Sequence, residues 1–181
     1  MKKRIFTSFI LICLLLTMPA CAAGADQPAE DNAELLSVQS TGFTDVPADA
    51  WYAQAVEYCR ENGLMAGTSD TTFAPEGTLT RAMLAAILYR MSGTPAVSAP
   101  PAFSDAEAGA WYSDAVAWAA ETGVISGYNS GTFGVNDPTT REQAVTILWR
   151  YAGSPESGSA LFFSDGDSVS GWAQAAVQWA S

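Results

Sequence analysis

Beyond residue 4 the chain holds five basic residues, all arginine, and four of them occupy two positions that recur 60 residues apart: Arg81 with Arg141, and Arg90 with Arg150. Arg81 and Arg141 each follow a threonine, Thr80 and Thr140, a residue type that caps helix N-termini. A cation there costs about a few tenths of a kcal/mol, because the exposed backbone N–H groups already carry partial positive charge. The placement suits an anionic partner, since free N–H groups and a guanidinium can donate to one anion together. An internal carboxylate, with the repeated Asp45 and Asp105 as candidates, satisfies the same chemistry, and both readings stay open on the residues alone. Arg90 and Arg150 fall in a last helical turn, where a cation suits the dipole and reads as structural.

The aromatic residues repeat as well. Trp51, Trp111 and Trp172 are of a type that stacks on sugar rings, but they open amphipathic segments and read as core. Tyr52 and Tyr112 are the better candidates for a groove wall. Asp70, Glu76 and Asp137 do not recur in register, so they read as solvated surface rather than a hydrolytic carboxylate pair. The chain has no histidine, which excludes Ser-His and Cys-His nucleophilic sites and imidazole-based zinc centres. Asp165-Gly166-Asp167 lacks the remaining ligands of a calcium loop. No catalytic residue, metal site or cofactor is expected.

The elements that must position these residues form a repeat. Phe43-Thr44-Asp45 returns as Phe103-Ser104-Asp105 and Phe163-Ser164-Asp165, and Phe43–Pro95 laid on Phe103–Pro155 gives 20 identities in 53 positions without a gap. Each full copy reads as helix, loop, helix. In the first, Trp51, Ala55, Val56, Tyr58 and Cys59 form an apolar face that ends at Gly63. Thr80 then caps a second helix with Leu84, Ile87, Leu88 and Met91 on one side, closed by Gly93 and Pro95. In the second copy Thr140 and Gln143 are spaced as a capping box. Strand alternation is lacking, so the expected fold is all-α, built of tandem helix-loop-helix repeats. A hairpin of this size buries its own apolar face poorly, and such units stack.

The expected organisation is a signal peptide at 1–22, with cleavage near 20–25, and an acidic spacer at 23–42. A first repeat at 43–95, a linker at 96–102, a second repeat at 103–155, a linker at 156–162 and a partial third repeat at 163–181 follow. Lys2, Lys3 and Arg4 precede an apolar run to Met18 that is short of the about 20 residues needed to span a bilayer. Lipidation of Cys21 is the alternative to simple cleavage. Cys59 alone lies in the body, which leaves no disulfide framework. Without residues 1–22, five arginines face 19 acidic residues, a formal charge of −14. Nucleic acid and anionic membranes are therefore disfavoured partners.

The ordered set Phe43-Thr44-Asp45, Trp51-Tyr52, Ala55-Val56, Gly63-x-x-x-Gly67, Phe73 and Leu79-Thr80-Arg81, repeated in the second copy, resembles the S-layer homology repeat of bacterial cell-surface proteins. The resemblance implies a helical domain whose three repeats build a pseudo-threefold central bundle with grooves between prongs, here with the third repeat incomplete. It further implies non-covalent anchoring of an exported protein to cell-wall polysaccharide, often one with pyruvate ketals, on a Gram-positive-type bacterium. The family's Thr-Arg-Ala-Glu motif lines those grooves, which places the pairing with the anionic sugar on Arg81 and Arg141; Thr80, Thr140 and the groove-wall candidates Tyr52 and Tyr112 complete the expected ligand-binding set. Met83 and Gln143 replace the motif's Glu. The alternatives are an assembly repeat without glycan affinity, or the N-terminal anchor of a wall-active enzyme continuing past Ser181.

Overall fold

The structure, a computed structural model, describes residues 42–156 and 163–181. The expected signal peptide, Cys21, nearly all of the spacer and most of the 156–162 linker lie outside the described residues. Among the described residues five α-helices follow one another: α1 Ala53–Glu61, α2 Arg81–Met91, α3 Ser113–Glu121, α4 Arg141–Tyr151 and α5 Gln174–Ala180. A short 3₁₀ turn at Gly166–Ser168 precedes α5. Among the described residues there is no strand, only an isolated antiparallel bridge between Thr80 and Pro138. The fold is all-α. No helix among the described residues is long and apolar enough to cross a membrane.

Local chemistry sets the helix boundaries. The Thr80 hydroxyl accepts from Met83 N at 3.3 Å to start α2. At α4, Thr140 accepts from Gln143 N while the Gln143 side chain returns to Thr140 N, completing the capping box. Gly63 and Gly123 take left-handed φ values of +65° and +71° just after the first helix of each repeat. At Gly127 the reason is contact rather than φ: an added Cβ would meet the Phe103 ring and lie 2.8 Å from Thr132 O.

Packing runs between repeats more than within them. The second helix of repeat 1, α2, packs on the first helix of repeat 2, α3, and α4 in turn packs on α5 of the third copy. The principal core joins Ala82, Ala85 and Leu88 of α2 to Val116, Trp118 and Ala119 of α3. Val124, Ile125 and Phe133 of the following loop and Ile147 of α4 complete it. Small residues dominate the α2–α3 contact, which lets the two backbones come close.

The face expected to be buried on α1 is not. Trp51 is 92% exposed and Tyr58 51%, with Ala55 exposed and Cys59 half-buried. Only Ala53 and Val56 of α1 are buried, in a separate small cluster with Phe43 and Val46. Their counterparts on α3 show why. Trp118, at the position of Tyr58, is 7% exposed because α2 covers it. Among the described residues nothing covers α1 in that way.

Candidate functional site

Arg81 connects the two full repeats. Its side chain is buried, with Nε donating to Phe133 O at 2.9 Å and one terminal nitrogen donating to Ser126 O at 2.8 Å. The guanidinium carbon lies 4.7 Å from the centre of the Tyr128 ring, a cation–π contact that offsets part of the cost of burying the charge. The N–H groups that start α2 are also engaged: Arg81 N with Asp137 O at 3.0 Å, and Ala82 N with Val135 O at 3.3 Å. Repeat 1 thus grips the loop of repeat 2 with both backbone and side chain. The internal partner of Arg81 is a pair of carbonyls rather than a carboxylate.

Asp45 and Asp105 serve a different purpose. Asp45 accepts from Phe73 N at 2.8 Å and Ala74 N at 2.7 Å. Asp105 accepts from Phe133 N at 2.6 Å, Gly134 N at 2.7 Å and Val135 N at 3.1 Å. Each carboxylate gathers a nest of backbone donors and fixes the loop that leads into the second helix. The N–H of Phe73, against partial desolvation, holds the Asp45 carboxyl below its ordinary range. Desolvation pushes Asp105 upward, but its three backbone donors together outweigh that and leave it lowered.

The equivalent of Arg81 in repeat 2 is placed otherwise. Arg141 is exposed at the start of α4 and makes no hydrogen bond or ion pair among the described residues. Thr140 is exposed and Thr80 half-buried, each committed to its own cap. Tyr52 and Tyr112 meet Trp51 and Trp111 edge to face at 5.5 and 5.2 Å and pack on the two hydrophobic clusters.

Two grooves lie between successive repeats. The first, of about 240 Å³, is lined by Ala86, Arg90 and Asp114 with the exposed Trp111. The second, of about 190 Å³, is lined by Thr146, Arg150, Trp172, Gln143 and the edge of Arg81. They share three positions: Ala86, Arg90 and Trp111 correspond to Thr146, Arg150 and Trp172, 60 or 61 residues further on. Each joins the last turn of one repeat's second helix to the tryptophan that opens the next repeat.

The structure gathers Arg81, Arg150, Gln143 and Trp172 around one groove, while Arg141, Thr80, Thr140, Tyr52 and Tyr112 line neither. The tryptophans expected in the core stand at the groove rims, with Trp111 64% and Trp172 56% exposed. Their position carried a signal: each lies two residues ahead of its helix, on the entering turn, where helical periodicity does not apply. Arg150, expected to be structural, is exposed and without a partner among the described residues, whereas Arg90 donates to Leu64 O at 2.9 Å.

Stacked helical repeats with an arginine and an exposed indole at each of these two junctions define a repeat-built module. The S-layer homology domain model matches residues 42–83 and 102–145, and the chain belongs to the S-layer homology repeat proteins of the bacterial cell surface. It is 32% identical to an endoglucanase of Bacillus sp. (strain KSM-635), over 97% of this chain and 18% of that protein. It is 34% identical to the S-layer protein sap of Bacillus anthracis, over 59% of this chain and 13% of that protein. Against an amylopullulanase of Thermoanaerobacterium thermosulfurigenes it is 31% identical, over 75% of this chain and 7% of that protein. The chain thus spans less than a fifth of these relatives, and the enzymes among them are matched over only that small share of their length. The S-layer homology region is an anchoring module of the surface of Gram-positive-type bacteria.

Proposed function

We propose that the chain holds its protein at the cell surface by binding an anionic cell-wall polysaccharide in the grooves between neighbouring repeats. The observation that carries this reading is the repetition of one groove chemistry in register, Arg90 with Trp111 and Arg150 with Trp172. An indole face stacks on a sugar ring, and a guanidinium beside it donates to a sugar oxygen, in fork geometry where that oxygen belongs to a carboxylate. The chain's strong negative charge makes such local cationic points decisive for attracting an anionic polymer. Arg141 and the α4 N-terminus, with Thr140 at its cap, add a second cationic feature on the same helix as Arg150. Tyr112, which lines neither groove, meets the rim Trp111 edge to face and supports it.

The test is sedimentation of the purified chain with wall polysaccharide. The wild type should co-sediment, and the double variant Trp111→Ala/Trp172→Ala should lose at least nine-tenths of that binding with its helical circular dichroism intact. Undiminished binding by the double variant would remove the grooves from the reading. Absence of binding by the wild type would remove the polysaccharide. The endoglucanase and amylopullulanase among the relatives favour a compatible second reading, in which the module anchors a polysaccharide-active enzyme.

A further inference from the structure

The two grooves share a register but not a charge. Arg90 faces into the first groove together with Asp114, one cation and one carboxylate. The second groove is lined by two arginines, Arg81 and Arg150, and by no acidic residue. The position of Asp114 is occupied there by Ala175. Arg90 is further tied down by its bond to Leu64 O, whereas Arg150 has no partner among the described residues. Where the first groove has Ala86, the second has Thr146, 4% exposed, whose hydroxyl is without a hydrogen-bond partner among the described residues. The second groove therefore carries a hydroxyl-bearing residue in its wall where the first carries only a methyl group. Gln143 adds an amide on the same wall.

Resting on the groove-binding reading, we propose that the grooves divide the polymer between them: the second binds the acid-bearing sugar through Arg150, and the first accepts only an uncharged sugar. The physical cause is local. A carboxylate entering the second groove meets the exposed Arg150 guanidinium and no acidic lining residue, while the Arg81 guanidinium at the edge stays on Phe133 O and Ser126 O. In the first groove it meets the exposed Asp114, and the like charges repel at short range. An uncharged sugar pays neither term and needs only the Trp111 face and hydrogen bonds. The polymer that fits both is one in which charged and neutral residues alternate within reach of successive grooves.

The experiment uses the chain in its native form with methyl glucuronide and methyl glucoside as probes, followed through the assigned indole N–H resonances. Methyl glucuronide should shift Trp172 and leave Trp111 in place, while methyl glucoside should shift Trp111. Arg150→Gln should weaken the glucuronide response at Trp172 at least tenfold, and Arg90→Gln less than twofold. Asp114→Asn should bring methyl glucuronide to Trp111, a gain that an unfolded variant cannot imitate. Equal responses of both indoles to the glucuronide, or insensitivity to Arg150→Gln and Asp114→Asn, would overturn the division. If the wall polymer still binds through Trp111 and Trp172 in that case, only the division falls. If it does not, the groove-binding reading falls too.

Discussion

The two full repeats place the same arginines in opposite situations. In repeat 1 both are spent on carbonyls, Arg81 on Ser126 and Phe133 and Arg90 on Leu64. In repeat 2 both Arg141 and Arg150 face solvent with no partner among the described residues. The first helices invert the pattern, with α1 largely open and α3 enclosed. Arg90 bonds within its own repeat, so its difference from Arg150 is local; one fact accounts for Arg81 against Arg141 and for α1 against α3. Each repeat's first helix and loop are finished by the second helix of the repeat before, so a residue's role depends on whether that neighbour stands beside it. Near-identical residues therefore become mortar in one copy and available cations in the other.

The widest difference should appear at the paired positions Trp118 and Tyr58. Trp118 contacts Tyr89 and Tyr151 with ring centres 5.8 and 6.3 Å away and lies in the principal core. Trp118→Ala should cost about 3–5 kcal/mol, because a large cavity opens where α2 meets α3. Tyr58→Ala, on the open face of α1, should cost about 1 kcal/mol or less. Chemical denaturation of the two variants measures both. Equal losses would mean that α1 is covered as α3 is.

Arg81 and Arg141 come next. Arg81→Ala leaves Phe133 O and Ser126 O without their charged donor at an interface between repeats, and should cost about 3 kcal/mol. Arg141→Ala should change stability by no more than about 0.5 kcal/mol. A stability loss at Arg141 matching that at Arg81 would contradict the contrast on which the comparison rests. Because Arg81 is structural in this sense, a binding defect in its variant has to be read together with its thermal midpoint, whereas one at Arg150 does not.

The legibility of the molecule in its sequence follows the same division. Helix boundaries depend on nearby atoms, and the capping box of Thr140 and Gln143 could be read from their spacing because it closes within one turn. The 60-residue period set the expected repeat limits, and helical apolar spacing without strand alternation led to the all-α class that the structure has. What could not be read was which apolar face a neighbour would cover. The carbonyls that receive Arg81 lie 45 and 52 residues along the chain, and carbonyls leave no trace in residue types. The aspartates attracted attention as possible partners for that arginine. They turned out to gather backbone donors, which are equally invisible in a sequence. The rim tryptophans were assigned to the core because apolar periodicity was extended one turn too far, past the start of the helix.

The smallest effect concerns these aspartates and separates the repeats once more. Both carboxyls are lowered in the folded chain, so each contributes stability that is fully present above the ordinary carboxylate range, about pH 4, and lost as the pH falls through the folded value. Protonation of the other acidic residues works the other way, since it relieves the repulsion within a strongly negative chain. The net midpoint therefore combines opposing trends, and the useful quantity is the difference between wild type and variant. Asp105→Asn should reduce the acid-dependent loss between pH 4 and pH 2 more than Asp45→Asn does. Asp105 holds three backbone donors against two, and it closes the loop that Arg81 grips. Thermal melts at half-unit intervals of pH would measure this. Were the two variants to track each other, or Asp105→Asn to keep the full wild-type loss, the loop of repeat 2 would owe its order to Arg81 rather than to its own carboxylate.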